Sequence, residues 1–510
     1  MMVNYKFYKE FFNRWFASNK RLGESVWRSP MTEEVYSFLS IVNNPLIRAL
    51  IKSASKKCPK CGETHLEVAL DDYLDEGKGK HHCLSAKLIS IAVNRALNNG
   101  GKAFGITDEQ LKRGLRDPYV KRGVANVLSG IATFGVNKPQ TTGAPFLVVW
   151  NYTNACNLRC KHCYQNAGKP SYDELPTEKR KEIVDELDQE NVVSLAFSGG
   201  EPLLRPDFLD VAGYAAKKGI YVSVATNGTL VTKAMATKLR EASIGYVEVS
   251  LDGATSEVHD AFRGVPGCFE RAIEGIRNLV ENDIYTCIAV TVTKHNIHSI
   301  PDIVELGKKL KVKRVVVFNF IPAGRGSEIV NLDISPIERE HLLEYLYNEL
   351  TKGEIQTFCT APQYARVCMQ KALEENKDLT APTHFAAYNL PGKTKYLADF
   401  LGGCGAGRIY CAIEPNGLVT PCVFMPITVG DLKTQSFKEI WLHSPVLADL
   451  RRREKLKGRC GHCQYMYICG GCRARAYGYY KDYLAPDPGC IRELEEPSKE
   501  FAANLEVVAV

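Results

Sequence analysis

Between residues 145 and 330, short apolar runs rich in β-branched residues alternate with stretches whose apolar positions recur at helical spacing. Strands that alternate with amphipathic crossovers in this way predict a parallel βα sheet. The predicted strands are FLVVWNYT (146–153), VVSLAF (192–197), YVSVAT (221–226), YVEVSL (246–251), CIAVTV (287–292) and RVVVFNF (314–320).

The intervening segments include PTEKRKEIVDELDQE (176–190) and FERAIEGIRNLVEN (269–282), which have the composition of helices that cover a sheet. The functional groups of such a sheet are expected in the loops at the carboxyl ends of its strands. Four conspicuous stretches fall at such ends. They are the cysteine loop at 156–163, SGGEP (198–202), ATNGT (225–229) and SLDG (250–253).

The same pattern divides the chain into four parts. Residues 1–140 are predicted to be mostly helical, with a cysteine-bearing knuckle at 58–83, and residues 141–330 form the βα core. Residues 331–400 read as a helical, proline-containing connection. Residues 401–510 carry eight cysteines among short, turn-rich pieces, which predicts a small domain organised by metal.

Composition narrows the class of protein. No run of eighteen apolar residues occurs and the first residues lack a signal sequence, so we expect a cytoplasmic protein. In that compartment the 18 cysteines, where they cluster, indicate metal ligands and not disulfides. The net charge of +7 slightly favours anionic partners without identifying them.

Three cysteines, Cys156, Cys160 and Cys163, have the spacing C-x3-C-x2-C directly after a predicted strand. Three thiolates can hold three corners of a 4Fe–4S cluster and leave one iron open to another ligand. A zinc knuckle completed by His162 or by a distant residue is the alternative. The tyrosine that follows the last cysteine, Tyr164, and the GGEP sequence downstream favour the cluster.

The C-x3-C-x2-C-Y loop, SGGEP, SLDG and the following HDAFRG together resemble the radical S-adenosylmethionine (radical SAM) superfamily. The resemblance implies a partial (β/α)6 barrel and an open iron that binds the amino and carboxylate groups of SAM. Electron transfer into SAM then gives a 5′-deoxyadenosyl radical. Hydrogen-atom transfer demands no general base, so no catalytic residue is assigned beyond the cluster cysteines.

The resemblance also implies a set of SAM contacts. Glycines let the backbone approach a ligand closely, and an arginine fork suits a carboxylate. The methionine side is assigned to Gly199, Gly200 and Glu201, the ribose side to Thr226, Asn227, Ser250 and Asp252, and the carboxylate to Arg263. Arg325, in the PAGRG loop (322–326), is expected to meet SAM, an anionic head group or solvent.

The carboxyl-terminal cysteines lie in CGAGRIYCAIEPNGLVTPC (404–422), in CGHCQYMYICGGC (460–472) and at Cys490. A zinc ribbon explains the C-x2-C pairs alone, but the C-x12-G-x4-C pattern before them resembles the SPASM extension of radical SAM enzymes. SPASM domains carry two auxiliary 4Fe–4S clusters. Two residues separate the last pair of the second group, where three are more usual. The resemblance gives Cys404, Cys411, Cys422 and Cys472 to one cluster and Cys460, Cys463, Cys469 and Cys490 to the other.

A third group, Cys58, Cys61 and Cys83, predicts one mononuclear metal, either zinc or a rubredoxin-like iron. Unligated thiols are the alternative. Cys268 and Cys287 lie in or beside apolar elements and are expected to pack as small side chains. Candidates for the fourth ligand of the third group are His65, His81, His82, Cys359 and Cys368.

The segment YKFYKEFFNRWF (5–16) places aromatic residues on one helical face and mainly basic residues on the other. This predicts either an interfacial membrane helix or packing on its own domain. The knuckle, the radical SAM core and the eight-cysteine tail together resemble archaeal tetraether lipid synthases. That resemblance implies an isoprenoid ether phospholipid substrate, coupling of two sp3 carbons, and peripheral contact with the inner face of the membrane. It also implies a reductant such as ferredoxin or flavodoxin, and no nucleic acid.

Three other functions are also consistent with the sequence. A SPASM peptide maturase would require a peptide-docking module, commonly a winged helix, which the CPKCG-bearing region does not resemble. A radical SAM methylase of a small molecule such as a pterin is a second possibility. A non-catalytic iron–sulfur carrier is a third, but a carrier has no need of an open iron beside a methionine-binding loop.

Overall fold

The computed structural model describes residues 33–55, 64–74, 84–382, 387–390 and 397–494. The predicted helix at 5–16 and the third cysteine group, Cys58, Cys61 and Cys83, lie outside the described residues. None of the described helices is long and apolar enough to cross a membrane. The amino-terminal helices are α1 (Glu33–Val42), α2 (Pro45–Ala54), α3 (His65–Tyr73), α4 (Leu84–Phe104), α5 (Asp108–Leu115) and α6 (Pro118–Phe134).

A ten-stranded sheet forms the centre of the structure, and its first six strands are those that the sequence predicts. Each of these six runs parallel to the next, in chain order. The predicted α/β fold with a (β/α)6 unit is therefore confirmed. The six strands are β1 (Leu147–Thr153), β2 (Ser194–Gly199), β3 (Tyr221–Thr226), β4 (Tyr246–Ser250), β5 (Tyr285–Val292) and β6 (Arg314–Asn319).

Four further strands extend this sheet beyond the prediction. β7 (Gln356–Cys359) pairs in parallel with β6, and β10 (Tyr410–Ile413) pairs in parallel with β1. β11 (Leu418–Thr420) and β12 (Gly430–Asp431) then add antiparallel strands. The cysteine-rich domain is thus joined to the barrel sheet through β10. A separate hairpin consists of β8 (Leu379–Pro382) and β9 (Ala387–Leu390).

Helices cover the outer face of the sheet. Their apolar stripes bury Val and Leu side chains against the outward residues of the strands, which gives one continuous core. The helices of the barrel and connection are α7 (Thr177–Gln189), α8 (Phe208–Lys217), α9 (Lys233–Glu241), α10 (Ser256–Arg263), α11 (Cys268–Glu281), α12 (Ile300–Lys309), α13 (Pro336–Lys352) and α14 (Gln363–Glu374). Those of the last domain are α15 (Ala398–Leu401), α16 (Phe437–His443), α17 (Pro445–Leu450), α18 (Gly458–Gly461) and α19 (Arg473–Tyr480).

Helix α6 packs against the amino-terminal ends of the barrel strands. It begins where Asp117 caps the backbone N–H of Tyr119 at 2.8 Å. The buried Asn126 amide donates to the Asn191 carbonyl at 3.1 Å, in the loop that precedes β2. The ring of Tyr119 lies edge-on to Tyr221, the first residue of β3, at 4.9 Å. The amino-terminal region is therefore positioned beneath the barrel, opposite the edge at which the predicted site lies.

Candidate active site

A cavity of about 470 Å³ begins at the carboxyl ends of the strands and continues into the barrel. This size is within the range of small-molecule sites. It unites predicted residues that are far apart in the chain. Those that line it are Cys156, Cys160, Cys163, Gly199, Gly200, Thr226, Asn227, Ser250, Arg263, Cys404, Cys422 and Cys472.

The first cysteine loop is fixed by backbone contacts from both sides. The Cys156 N–H donates to the Gly168 carbonyl at 2.9 Å, which closes the loop on itself. Arg325 donates from Nε to the Cys160 carbonyl at 2.8 Å and from Nη1 to Asn166 Oδ1 at 3.0 Å. Arg325 therefore supports the loop from behind, a role that the sequence left open between SAM, a head group and solvent.

The spacing of the thiols fits a cluster better than a zinc ion. Zinc–sulfur bonds of about 2.3 Å place tetrahedral ligands about 3.8 Å apart. Among the described residues, the only three metal-ligand groups within 4.8 Å of one another are His259, Asp260 and Cys268. Within the part of the chain that the structure describes, no three cysteine sulfurs are that close. A 4Fe–4S cluster needs the wider spacing, because its thiolates bind different irons.

Donors already point at the sulfurs of this loop. The Ala167 N–H lies 3.3 Å from Cys163 Sγ, and Arg263 Nη1 lies 3.6 Å from Cys160 Sγ. Such N–H···S contacts stabilise thiolates in an iron–sulfur site. Burial raises the pKa of Cys156 to about 12, so ligation at this position must release the thiol proton.

His162 does not complete a zinc site with these cysteines. Its ring stacks on Phe262 with centroids 4.2 Å apart, and its Nε2 lies 3.4 Å from Asp252 Oδ2. Burial lowers the pKa of His162 to about 3, so the ring is neutral despite the nearby carboxylate. The zinc-knuckle alternative through His162 therefore has no geometric support.

The tyrosine of the C-Y motif connects the loop to the rest of the cavity. The Tyr164 hydroxyl lies 3.0 Å from Asn151 Oδ1 and 3.0 Å from Ser198 Oγ, at the ends of β1 and β2. Its ring packs on Phe424 of the cysteine-rich domain at 4.9 Å. Tyr164 therefore fixes the loop against the strands and against the second domain.

The two glycines of SGGEP, Gly199 and Gly200, allow the backbone after β2 to pack closely against the backbone at the end of β1. Gly199 has φ +115°, a conformation that side chains disfavour, and a Cβ on Gly200 would lie 2.1 Å from the Ala155 carbonyl oxygen. The Gly200 N–H donates to the Thr153 carbonyl at 2.6 Å. The glycines thus bring the end of β2 against the start of the cysteine loop, and both line the cavity.

Glu201 lies behind the cavity wall and does not line it. Its Oε1 accepts from Thr226 Oγ1 at 2.8 Å, and its Oε2 accepts from the Asn227 N–H at 2.8 Å. The side chain is fully buried, and burial raises its pKa to about 7. Glu201 therefore holds Thr226 and Asn227, which do line the cavity, and its own contact with SAM stays a prediction.

Asp252 has a similar supporting position. Its Oδ2 pairs with Arg263 Nε at 2.6 Å, and its Oδ1 accepts from the Thr291 N–H at 2.8 Å. Burial opposes ionisation, but the Arg263 charge keeps the pKa of Asp252 below its usual value. Asp252 therefore aims Arg263 at the cavity. Asp252 is not among the residues that line the cavity, and its ribose contact stays a prediction.

The cysteine-rich domain brings three of its thiols to the same cavity. Cys404, Cys422 and Cys472 pack in one cluster with the buried Met425 and with Tyr410. The Arg475 N–H lies 3.4 Å from Cys472 Sγ. This group contains Cys472, the last cysteine of C-G-G-C, which the sequence assigns to the same cluster as Cys404 and Cys422. The three thiols stay predicted ligands of the first auxiliary cluster.

Cys411 is not brought to this group. It lies in β10 next to Tyr410, and consecutive strand residues face opposite sides of a sheet. Tyr410 faces the cavity, so Cys411 points to the outer side, where it is fully buried in the main core with Val148 and Trp441. The predicted fourth ligand is therefore separated from the other three by the sheet itself.

This placement makes a prediction about iron content. Cys422→Ala should lower the iron of anaerobically reconstituted protein by about four atoms per chain, whereas Cys411→Ala should leave it unchanged. Iron and acid-labile sulfide analysis measures both variants. Cys287→Ala, another buried cysteine that belongs to no predicted ligand set, is the matched control. Equal iron loss in the Cys411 and Cys422 variants would show that Cys411 is a ligand after all.

The remaining four predicted ligands surround a second, small cavity. Two glycines, Gly470 and Gly471, leave space there, since a Cβ on Gly471 would lie 2.9 Å from Cys460 Sγ. The guanidinium of Arg473 lies 3.6 Å from the same sulfur, and the Asp487 N–H lies 3.5 Å from it. The four thiols are those of Cys460, Cys463, Cys469 and Cys490.

A partly buried acid lines the lower part of the main cavity and was not predicted. Glu248 lies in the middle of β4, with its carboxylate 3.2 Å from the Tyr246 hydroxyl. The signal was present, because strand alternation in YVEVSL turns Glu248 to the same side as Tyr246 and Ser250. Burial raises the pKa of Glu248 to about 7.

This shift predicts a pH-dependent stability. The folded state keeps the Glu248 proton up to about pH 7, whereas the unfolded chain releases it near the ordinary value of 4.5. The contribution to stability is thus complete below that value and is lost as the pH rises to about 7. Above about pH 7 the folded state would carry the disfavoured carboxylate charge. At such a pH, Glu248→Gln, which carries no charge, should raise the free energy of unfolding by on the order of 3 kcal/mol.

Urea unfolding at about pH 5 and about pH 9 measures this difference. Glu241→Gln, which removes an exposed carboxylate at the end of α9, is the control and should change neither value. A Glu248→Gln variant that is no more stable than the parent at the higher pH would show that the carboxyl is solvated or paired.

The fold and the three-cysteine loop define an iron–sulfur enzyme with a cavity of small-molecule size, and comparison with known proteins agrees. Residues 150–307 match the radical SAM superfamily, and residues 404–464 match an iron–sulfur cluster-binding (SPASM) domain. The chain is 40% identical over 353 residues to an AdoMet-dependent heme synthase from Methanosarcina barkeri, covering 69% of this chain and 97% of that protein. The chain therefore belongs to the radical SAM superfamily, in its SPASM-containing branch.

Two further relatives extend this comparison. The mycofactocin maturase MftC from Mycobacterium tuberculosis is 32% identical over 369 residues, which cover 70% of this chain and 85% of the maturase. The crystal structure of Streptococcus suis SuiB bound to S-adenosylmethionine has a TM-score of 0.57 and 17% identity, covering 83% of this chain and 92% of that chain. At this identity the likeness concerns the fold alone.

These relatives change one expectation from the sequence. The radical SAM and SPASM assignments, and with them SAM and iron–sulfur clusters as cofactors, are confirmed. The resemblance to tetraether lipid synthases is not supported, because the relatives are a heme synthase and a maturase. The lipid substrate and the membrane contact therefore lose their basis. The lipid expectation rested on the order of the knuckle, the core and the cysteine-rich tail, without a motif specific to a lipid substrate.

Proposed function

We propose that this enzyme abstracts a hydrogen atom from a carboxylate-bearing side arm of an iron tetrapyrrole and thereby takes part in making heme. The observation that carries the proposal is the 40% identity to a heme synthase over 97% of its length. A cofactor-sized cavity that combines the cysteine loop, SAM contacts and aromatic side chains supports it.

The reaction we propose is the oxidative decarboxylation of a propionate arm to a vinyl group. When bound, the cluster and SAM would supply a 5′-deoxyadenosyl radical, with one electron from an external reductant of the ferredoxin or flavodoxin class, and this radical takes one hydrogen atom. The arm also loses carbon dioxide and one electron, and a carbon–carbon double bond forms. A one-electron acceptor of the ferredoxin or flavodoxin class would receive that electron, so atoms and charge balance.

The protein's part is to bind, orient and exclude water. The Asp252–Arg263 pair presents a guanidinium beside Cys160, where a carboxylate of SAM can be bound. Thr226 and Asn227 are held in place through Glu201. Bringing two reactants together in a fixed geometry accounts for much of the rate of such a reaction.

A direct assay tests this proposal. Reconstituted protein, SAM and a strong reductant are incubated anaerobically with an iron porphyrin that carries propionates, with an archaeol phospholipid, or with no substrate. We expect the porphyrin to lose a carboxyl group as carbon dioxide, with 5′-deoxyadenosine formed in proportion. Deoxyadenosine that forms at the same rate in all three incubations would contradict the tetrapyrrole proposal and keep the radical SAM assignment.

Peptide maturation is the second candidate, because the maturase MftC is 32% identical over most of its length. The described residues before Leu147 form helices and no β-strand. A winged-helix module, which docks peptides through helices and a hairpin, therefore has no counterpart among them. This observation makes the tetrapyrrole the better supported substrate.

A further inference from the structure

Two buried arginines of the cysteine-rich domain have backbone carbonyls as their hydrogen-bond partners. Arg408 and Arg453 are each 1% exposed, and among the described residues neither forms an ion pair with an Asp or Glu side chain. Arg408 donates to the Gln140 carbonyl at 2.7 Å and to the Gly402 carbonyl at 2.8 Å. Arg453 donates from Nη2 to the Cys404 carbonyl at 2.7 Å. Burying a charge this deeply is costly unless an opposite charge compensates for it.

Arg453 also has hydrogen-bond donors to spare. Its Nε and Nη1 are buried and have no acceptor within the part of the chain that the structure describes. Both nitrogens pack on Gly470, since a Cβ at that position would lie 3.0 Å from Nε and 2.9 Å from Nη1. The φ of +67° at Gly470 favours glycine for a second reason. Buried donors without acceptors are rare in native proteins, and they often accompany a bound ion or a redox group.

The residue beneath this guanidinium belongs to a loop that the two predicted auxiliary clusters share. In C-G-G-C, which contains Gly470, the sequence assigns Cys469 to one cluster and Cys472 to the other. The two ligand sets are also joined by their backbones, because the Cys404 N–H donates to the Cys469 carbonyl at 3.1 Å. Arg453 therefore contacts both Cys404 and the shared loop, at the boundary between the two sets.

Thiols of both sets lie within electrostatic reach of Arg453. Burial lowers the pKa of Arg453, and the charges of Cys404, Cys469 and Cys460 act in the opposite direction. A 4Fe–4S cluster held by thiolates is an anion, and reduction makes it more negative. A buried cation beside such a cluster stabilises the reduced form more than the oxidised form, so it raises the reduction potential.

We infer that the Arg453 guanidinium, placed between the two predicted ligand sets, raises the reduction potential of the auxiliary clusters. The compensating charge that this buried arginine requires is then supplied by the clusters. Arg453 does not line the main cavity, so it is a positioning residue that acts through the clusters and not through the substrate. The inference goes beyond the proposed function, because it concerns the auxiliary clusters whatever the substrate is.

Redox titration of the reconstituted holoenzyme tests the inference. Electron paramagnetic resonance follows the reduced clusters, and the auxiliary signal is the one that remains in Cys163→Ala protein. The variants are Arg453→Met and Arg453→Gln, which remove the charge, and Arg453→Lys, which keeps it. At the parent's midpoint potential, we expect both neutral variants to lower the ratio of reduced to oxidised auxiliary cluster about tenfold, a shift of about 59 mV for one electron. Arg453→Lys should stay close to the parent.

Arg452→Met is the matched control, because it removes an exposed positive charge from the neighbouring residue. Its auxiliary midpoint should equal that of the parent, since charges in contact with solvent are screened. Iron and acid-labile sulfide analysis of every variant establishes that the clusters are present before the potentials are compared.

The possible outcomes separate a charge effect from a purely structural role. If either neutral variant keeps its iron and has the parent's midpoint, or if Arg453→Lys shifts as far as Arg453→Met, the inference is wrong. If the neutral variants lose auxiliary iron while Arg453→Lys keeps its iron and midpoint, the clusters require the charge and the inference stands. Loss of auxiliary iron in all three variants would mean that Arg453 serves the fold alone, which contradicts the inference. None of these results bears on the tetrapyrrole proposal.

Discussion

Replacing Cys163 with alanine should abolish the reductive cleavage of SAM and lower the iron content by about four atoms per chain. Cys163 lies in the loop between β1 and β2, where its sulfur faces the cavity and receives the Ala167 N–H at 3.3 Å. Without this third thiolate, the loop offers only two ligands to the cluster. Deoxyadenosine formation with dithionite, together with iron analysis, measures the loss.

The neighbouring Cys268 provides the control for this prediction. It is buried beside Cys160, but its thiol bonds to Asp260 at 3.0 Å instead of facing the cavity. Cys268→Ala should therefore retain the iron and the SAM cleavage. Substantial deoxyadenosine formation by Cys163→Ala would show that the radical is not generated at this loop.

The largest loss of stability is expected at Arg475, at the start of α19. Arg475 and Asp333 form an ion pair with side chains only 3% and 7% exposed. The pair joins the cysteine-rich domain to the segment after β6, and Tyr479 donates to the same carboxylate at 2.5 Å. Arg475→Met leaves Asp333 with Arg339, 2.8 Å away, as its remaining cationic partner. The lost charged hydrogen bonds should lower the free energy of unfolding by about 1.5–3 kcal/mol.

Two further variants make this prediction specific. Lys481→Met, at the exposed end of the same helix, should have little effect. The double variant Asp333→Asn/Arg475→Met should be at least as unstable as Arg475→Met, because it also takes the carboxylate partner at 2.8 Å from the buried Arg339. Denaturant unfolding of anaerobic protein measures all of them. Arg475→Met and Lys481→Met proteins of equal stability would mean that the buried pair contributes nothing.

The barrel strands and the position of the site were predictable from local patterns. Runs such as YVSVAT and CIAVTV appear as β3 and β5, because β-branched residues between amphipathic helices have few other places in a compact fold. The cysteine loop and the ATNGT stretch meet because the carboxyl ends of parallel strands share one edge of the sheet.

Other features depend on packing that local patterns do not encode. Cys411 has the spacing of a ligand, but the pairing of β10 with β1 decides which side of the sheet it faces. Glu201 belongs to a site motif, and only the structure reveals that its oxygens bond to Thr226 and Asn227. Spacing along the chain identifies residue types near a site, whereas strand register decides which atoms reach the cavity.

The substrate was the least predictable feature. Hydrogen abstraction makes few demands on side chains, so lipid, peptide and tetrapyrrole enzymes can share one cysteine framework. The features that differ lie inside the barrel. Glu248 occupies an ordinary strand position in the sequence, and it becomes notable only because small residues such as Ser223 leave the interior open.

The most direct test of this account follows the abstracted hydrogen atom. Reconstituted protein, SAM and reductant are incubated with an iron porphyrin whose propionate arms are deuterated, and the 5′-deoxyadenosine is analysed by mass spectrometry. We expect deuterium in the deoxyadenosine, in proportion to the vinyl product. Deoxyadenosine without deuterium, from an enzyme that binds the porphyrin and cleaves SAM, would contradict it.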